Sequence, residues 1–342
     1  MRRLVLPTPY AVGPVNVYLI MGAEPTLIDA GPATREGVEA LRAGLAAVGL
    51  EPGDVRRVIV THAHPDHYGG LALLGDGGRW EVAAHSRALL WMSGDPGMLE
   101  ARVAFYVRFL AQAGVPASLL RAMEREGLGL RSYPRGIAVH RFLGEGDRVK
   151  AGDGELVVRY TPGHASSAIC LERSPDRLLF SGDALLGRIS SNALVEPVDA
   201  WAGDRRASLP EYVRTLHRLR SLEVDLVLPG HGDPFPDHRA LVDERLAFYR
   251  ARRDHVLALL GGGPATVYDL CRSLFPGLER DQLFLGLSET VGYLDLLEER
   301  GLVGHTMSEG VLRYYRTVRQ DQPAGRSVTA GQGGGGWGWQ SG

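Results

Sequence analysis

Residues 61–70 read Thr-His-Ala-His-Pro-Asp-His-Tyr-Gly-Gly and gather four potential metal ligands, His62, His64, Asp66 and His67. They follow the apolar run Val58-Ile59-Val60, so the ligands are expected on a turn leaving a buried strand and not on a solvated helix face. Imidazoles and a carboxylate at this density suit zinc or a similar borderline ion. Pro65 restricts the backbone within the run, and Gly69-Gly70 lets the chain approach the site closely. One histidine alone would read as part of a polar turn; His-x-His-x-Asp-His reads as a metal loop. Later segments repeat one arrangement, an apolar strand, a small residue and a ligand, at His164, Asp183 and His231. A strand end holds a side chain rigidly, and glycine beside it leaves room for an ion. The candidate set His62, His64, Asp66, His67, His164, Asp183 and His231 exceeds what one structural zinc needs. Two ions sharing a carboxylate would use it all and leave positions open to water, which implies catalysis.

The elements that must position these residues alternate. Strands are expected at 15–20, 26–29, 55–60 and 81–84, with a helix at 34–48 whose Val38, Leu41, Leu45 and Val48 form one stripe, and another at 68–74. That rhythm is α/β. Residues 86–135 break it with helical patterns at 98–113 and 117–126. This insert, carrying Met98, Phe105, Tyr106, Phe109, Leu110, Met123 and Tyr133, would pack on the core or line an apolar pocket as a lid. Strands return at 139–142, 155–161, 168–172, 178–180 and 225–229, with helices at 209–219 and 237–260. Gly261-Gly262-Gly263-Pro264 marks a domain boundary, so a catalytic domain is expected over 1–263. Residues 264–320 would form three helices (266–274, 280–287, 289–299) and a hairpin (302–303 with 311–317), the order of a winged helix. Residues 321–342, including Trp337 and Trp339, have a disordered composition.

The 342 residues suit about two domains. With 38 basic against 40 acidic residues no global field calls for nucleic acid or an anionic membrane. Residues 265–320 hold six arginines and eight acids, which disfavours nucleic-acid binding there but leaves it open. Lys150 is the only lysine, a compositional bias we attach to no function. Cys170 and Cys271 imply no disulfide framework. Arg2-Arg3 precede an apolar run too short for a signal peptide, and no stretch approaches a membrane span; the expectation is a cytoplasmic protein without a membrane partner.

The ligand pattern resembles the metallo-β-lactamase superfamily of binuclear hydrolases over about 15–231. The resemblance implies a four-layer αββα sandwich, an α/β (α+β) fold, with the metals at one edge of two sheets. It implies that His62, His64 and His164 hold one ion, that Asp66, His67 and His231 hold the other, and that Asp183 bridges them while Asp29 supports the metal loop from behind. The cofactors would be two divalent ions, zinc first, with iron or manganese as alternatives. In such sites, with ions ~3.5–4 Å apart, a metal-bridging hydroxide attacks, Asp66 and Asp183 serve catalysis, and neither Ser181 nor Cys170 is needed. Asp183 argues against a true β-lactamase, where Cys or Ser is usual. Flavodiiron proteins, RNA-end nucleases with large inserted domains and mononuclear dioxygenases match less well. Thr161-Pro162-Gly163-His164 and the full set are shared with glyoxalase II, and the C-terminal segment resembles the winged-helix appendage of its relatives. The function this implies is a hydroxyacylglutathione hydrolase-like enzyme cleaving a thioester or related acyl ester of a small molecule. The alternative is a phosphodiesterase or ribonuclease acting on single-stranded nucleic acid. Arg188, Ser190, Asn192, Tyr68 and Tyr133 are candidate substrate contacts, Arg188 for an anionic portion unless it pairs with a local acid. The last domain could also serve a homodimer.

Overall fold

The computed structural model describes residues 1–74, 80–125, 127–201 and 203–317. Strands β1 (Arg2–Leu6), β2 (Val15–Ile20), β3 (Thr26–Ile28), β4 (Arg57–Ile59), β5 (Glu81–His85) and β6 (Arg141–Leu143) form one sheet in chain order. The first three pair antiparallel; from β3 onward neighbours are parallel. Helix α1 (Arg35–Ala46), capped where the Thr34 hydroxyl accepts from the Gly37 N–H, makes the crossover to β4. Two short helices, α2 (Pro65–Tyr68) and α3 (Leu71–Leu74), follow β4, and the insert supplies α4 (Leu89–Met92), α5 (Pro96–Gln112) and α6 (Ala117–Arg125) between β5 and β6. A second sheet, ordered β11-β10-β9-β8-β7, contains β7 (Arg148–Ala151), β8 (Gly154–Tyr160), β9 (Ile169–Arg173), β10 (Leu178–Gly182) and β11 (Leu226–Pro229). Its single parallel pair, β10 with β11, is the one joined through a helix, α7 (Ser208–Arg220).

Alternation along the strands builds the layers. Tyr18, Ile20, Ile28, Ile59 and Ala83 of the first sheet meet Val158, Ile169, Leu171, Phe180 and Leu228 of the second in a closed inner core. Their neighbours in sequence turn outward: Val17, Leu19 and Leu27 lie with Val38, Leu41 and Leu45 of α1. On the far side Cys170, Leu179 and Val227 lie with Leu209 and Leu216 of α7 and with Val242 and Leu246 of α8 (His238–Leu259). The result is the expected αββα sandwich.

Three local expectations change. The single helix anticipated at 68–74 is two short pieces, because a Cβ at Gly70 would overlap the Ala30 carbonyl oxygen and the chain turns there to donate to Gly31. β1 and β7 were not anticipated. β1 buries fully only Leu6 and so carries no period-two signal, while β7 alternates exposed and buried positions but over only four residues, too short a run to stand out. The two helices expected at 280–287 and 289–299 are one, α10 (Leu283–Glu298), since no breaking residue separates them and the buried Ser288 hydroxyl accepts from the Val195 N–H. Residues 321–342 lie outside the described residues.

The segment after Gly263 shares the core of what precedes it. It consists of α9 (Val267–Leu274), α10 and the hairpin β12 (Val303–Ser308) with β13 (Val311–Arg316). α10 buries eleven of its sixteen residues, and a Cβ at Gly292 would overlap Leu209 of α7. Arg205 grips Asp295 through two bonds of 2.5 and 2.6 Å, a fork that a single-point cation would not form. The Tyr268 N–H donates to the Ala113 carbonyl of the insert. A chain ending at Gly263 would therefore expose the faces of α7 and α8 that α10 covers. We expect such a truncation to lose its cooperative unfolding transition and to bind a hydrophobic dye at about 20 °C, as loosely packed states do; a melt like that of the full chain would show that α10 is dispensable to the fold.

Candidate metal centre

Each ligand loop leaves a strand at the same edge of the two sheets. The loop after β4 is tied to the second sheet where the Ile169 N–H donates to the Thr61 carbonyl and the Ser167 hydroxyl accepts from the Ala63 N–H. The loop after β11 is tied to the first sheet: the Asn16 N–H donates to the Gly230 carbonyl at 2.7 Å, and Val15 bridges His231. A Cβ at Gly230 would collide with Asp183 Oδ1 and the His67 ring, so the expected role of glycine beside a ligand holds here by close approach.

All seven candidate side chains converge. His64 Nδ1 lies 2.9 Å from His62 Nε2 and 3.0 Å from His164 Nε2. Around an ion at the usual ~2.0–2.1 Å a tetrahedral set of nitrogens stands roughly 3.3 Å apart, so this spacing is that of co-ligands. Asp66 Oδ2 lies 3.3 Å from His231 Nε2 and 4.0 Å from His67 Nε2. Asp183 sits between the two groups, Oδ1 at 3.4 Å from His67 Nε2 and Oδ2 at 3.7 and 3.6 Å from His164 and His231. Three overlapping clusters able to hold a metal ion result: His62, His64, His164; His62, His67, Asp183; and Asp66, His67, His231. His67 Nε2, Asp183 Oδ1 and His231 Nε2 are buried without a hydrogen-bond partner. Buried polar atoms left unpaired are costly, and ions are what this donor set accepts, so the residues fit the group they are expected to hold.

The far nitrogen of each ring fixes which one is free. His67 Nδ1 donates to Asp29 Oδ2 at 2.8 Å, His164 Nδ1 to the Asn192 carbonyl at 2.8 Å and His231 Nδ1 to the Pro14 carbonyl at 2.9 Å. Each leaves the Nε2 lone pair facing inward. Asp29, at 2% exposure and with a left-handed φ of 63°, also accepts from the Thr61 N–H and hydroxyl. Burial, then neighbouring imidazoles, holds His62 well below its ordinary value, and burial and His164 push His64 down to about 3. Burial opposes a charge on Asp183, but His67, His231 and His164 override it and hold the carboxyl below the usual range. Burial likewise opposes the charge on Asp66, and His67 and His231 outweigh it. The same attraction works in reverse on His67, where Asp183, Asp29 and Asp66 overcome burial and raise its proton affinity. Around His67 and the two carboxylates the field thus stabilises positive charge, His62 and His64 stay neutral with a lone pair to give, and the carboxylates are in the deprotonated state that binding a metal requires.

The other candidates separate. Asn192 enters the site through its carbonyl. Arg188 is exposed, 3.9 Å from Asp233, and shares a shallow depression with His231 and Phe235. Ser190 is exposed. Tyr68, expected at the opening, is instead fully buried, its hydroxyl given to the Pro134 carbonyl at 2.9 Å, because it ends the turn that faces the insert. Tyr133 lines an apolar cavity of about 100 Å³ that starts at His64 and runs between the insert and α10. Trp91, Leu194, Glu196 and Phe284 also line it. These were missed because no local pattern marks them; tertiary packing alone brings them to the ligands. Cys170 is buried and its thiol pushed up to about 12, and the Ser181 hydroxyl donates to the Leu185 carbonyl, so neither offers a nucleophile.

Residues 10–231 match the family model of the metallo-beta-lactamase superfamily. The probable metallo-hydrolase YqjP of Bacillus subtilis (strain 168) is 35% identical over 317 residues, 92% of this chain and 97% of that protein. The acyl-coenzyme A thioesterase MBLAC2 of Gallus gallus is 33% identical over 234 residues, 66% of this chain and 74% of that protein. A metallo-beta-lactamase family protein from Thermus thermophilus has a solved structure with TM-score 0.76 and 31% identity, covering 92% of this chain and 98% of that chain.

Asp29→Asn keeps an acceptor for Thr61 and tolerates the left-handed backbone, but turns an N–H toward His67 Nδ1. We expect the affinity for an ion at the His67 cluster to fall about 10- to 100-fold with the circular dichroism spectrum unchanged, measured by competition with a chelator. Undiminished affinity would mean that His67 is not oriented by Asp29.

Proposed function

The chain belongs to the metallo-beta-lactamase superfamily and is a metallo-hydrolase, and we propose that it cleaves thioesters whose acyl group lies against an apolar wall beside a two-ion centre. The observation that carries this is the cavity adjoining His64, lined mainly by Trp91, Tyr106, Leu110, Leu194 and their neighbours. An acyl group placed there brings its carbonyl to the ligand cluster. The similarity to an acyl-coenzyme A thioesterase supports the same substrate class.

In this reading His62, His64 and His164 would hold one ion and Asp66, His67 and His231 the other, with Asp183 placed between the two groups as a ligand available to both. Divalent ions held there, zinc by ligand type, would supply a water acidified toward a pKa of ~7 and a Lewis acid for the acyl carbonyl. Asp66 Oδ2 lies 3.3 Å from His231 Nε2, and the other oxygen of the carboxylate would accept the hydrogen bond that orients the attacking water. Asp183 keeps His67 and His164 at fixed separation. Trp91 and Tyr106 exclude water from the acyl side, so the acyl group and not bulk solvent occupies the space beside His64. A thiolate with an ordinary pKa near ~8.5 departs without a general acid, which relieves the site of supplying one.

Arg188 then stands on the carrier side, beyond His231. Its contact with Asp233 is a surface pair worth about 0–1 kcal/mol, too little to keep it from an anionic carrier. Arg188→Ala should raise KM several-fold for coenzyme A thioesters and not for the uncharged N-acetylcysteamine analogues; equal KM values on both would remove Arg188 from the site.

The decisive measurement is thiol release from acyl-coenzyme A, acylglutathione and acyl-N-acetylcysteamine thioesters by zinc-loaded protein, with Asp66→Ala as control. We expect turnover in the first and a loss of at least about 100-fold in the second, the scale of one positioned acid–base group. A metal-loaded protein that releases no thiol but cleaves a phosphodiester would overturn the thioesterase reading.

A further inference from the structure

The cavity beside His64 shares part of its lining with a second depression. Met123 of α6, Leu128 just beyond it and Phe284 of α10 line it on the inside, and the same three residues line a separate outer depression with Glu279 and Asp281. They form a wall one side chain thick. Its parts come from distant places in the chain: Phe284 is set edge-on to Tyr106 at 5.2 Å and to Phe109 at 6.4 Å, which binds the wall to the insert. Tyr106 is itself anchored by its hydroxyl to the Val195 carbonyl at 3.1 Å. Leu128 holds a left-handed backbone with φ 55°, a conformation costly for a branched side chain and so a mark of a position set by its surroundings.

We propose that this cavity is the chamber for the acyl chain, and that Met123, Leu128 and Phe284 close it and set the longest chain it accepts; the assignment rests on the thioesterase reading above. His64 and the three wall residues line one and the same cavity, so a chain entering from the ligand cluster occupies the space that the wall bounds. A cavity of about 150 Å³ admits benzene, so this one, at about 100 Å³, takes roughly four carbons beyond those at the metal ligands. The occupant is an aliphatic chain of about six carbons in all, on the same volume comparison. Because Phe284 belongs to α10, the C-terminal segment takes part in choosing the substrate.

The test uses the full, zinc-loaded chain and linear carboxylates from acetate to decanoate, which are the acid products, with binding followed by calorimetry. Affinity should rise about fourfold per methylene up to about six carbons and then level off. Met123→Trp fills the chamber and should move the break to shorter chains. Phe284→Ala opens the wall into the outer depression and should extend the rise to longer chains. Melting temperature and zinc content identify a variant that has not folded, and the two variants act in opposite directions, so either alone reads the wall. Affinity independent of chain length, or a break unmoved by both substitutions, overturns the proposal. A break that moves as described in a protein that releases no thiol from any thioester supports the chamber and overturns the thioesterase reading. Thiol release with a flat carboxylate series does the reverse.

Discussion

The molecule is organised around an unfavourable placement of charge. Asp29, Asp66 and Asp183 are each at most 7% exposed and crowd the same imidazoles. A buried carboxylate costs several kcal/mol unless a cation or a set of donors answers it. Asp29 finds its donors in Thr61 and His67. Asp66 and Asp183 face His67, His164 and His231, and Asp183 Oδ1 has no hydrogen-bond partner. The protein supplies rigidity to hold this arrangement: four loops, each leaving a strand, cross-tied by main-chain bonds between two sheets whose facing sides share a mainly apolar core.

Much of the centre was legible in the sequence because its chemistry is local. His62, His64, Asp66 and His67 lie within one turn and its approach, and a strand-glycine-ligand order marks the other three. Alternation of strands with the one-sided stripe of α1 made an α/β architecture legible, and the four-layer sandwich came from the family resemblance of the ligand pattern. What escaped notice was everything made by distance. Pro14 and Asn192 serve the centre through carbonyl oxygens, which any residue type can offer, so Pro14 went unmarked and Asn192 was expected as a substrate contact rather than as the acceptor for His164. Tyr68 was misplaced because adjacency to His67 in the chain says nothing about which side of a helical turn a residue occupies.

The insert and α10 illustrate a second limit. Each has an apolar surface that reads as ordinary core, and most of it is core. Where the two surfaces fail to meet, as between Trp91, Tyr106 and Phe284, a space remains, and a space has no sequence. The run of glycines at 261–263 looks like punctuation between units, yet Asp295, Ser288 and Tyr268 beyond it are bonded to Arg205, Val195 and Ala113 before it.

The bond from His231 Nδ1 to the Pro14 carbonyl spans 217 residues of sequence. During synthesis the first four ligands leave the ribosome long before the last, and at ~5–20 residues per second the interval between His67 and His231 lasts roughly ten to thirty seconds. Through that time the nascent chain displays a histidine-rich loop without the strand that orients its partners. Loading of the full cluster is consequently a late event in biogenesis, coupled to closure of the sandwich by β11, and a scarcity of ion at that moment would act on newly made chains and not on the mature pool.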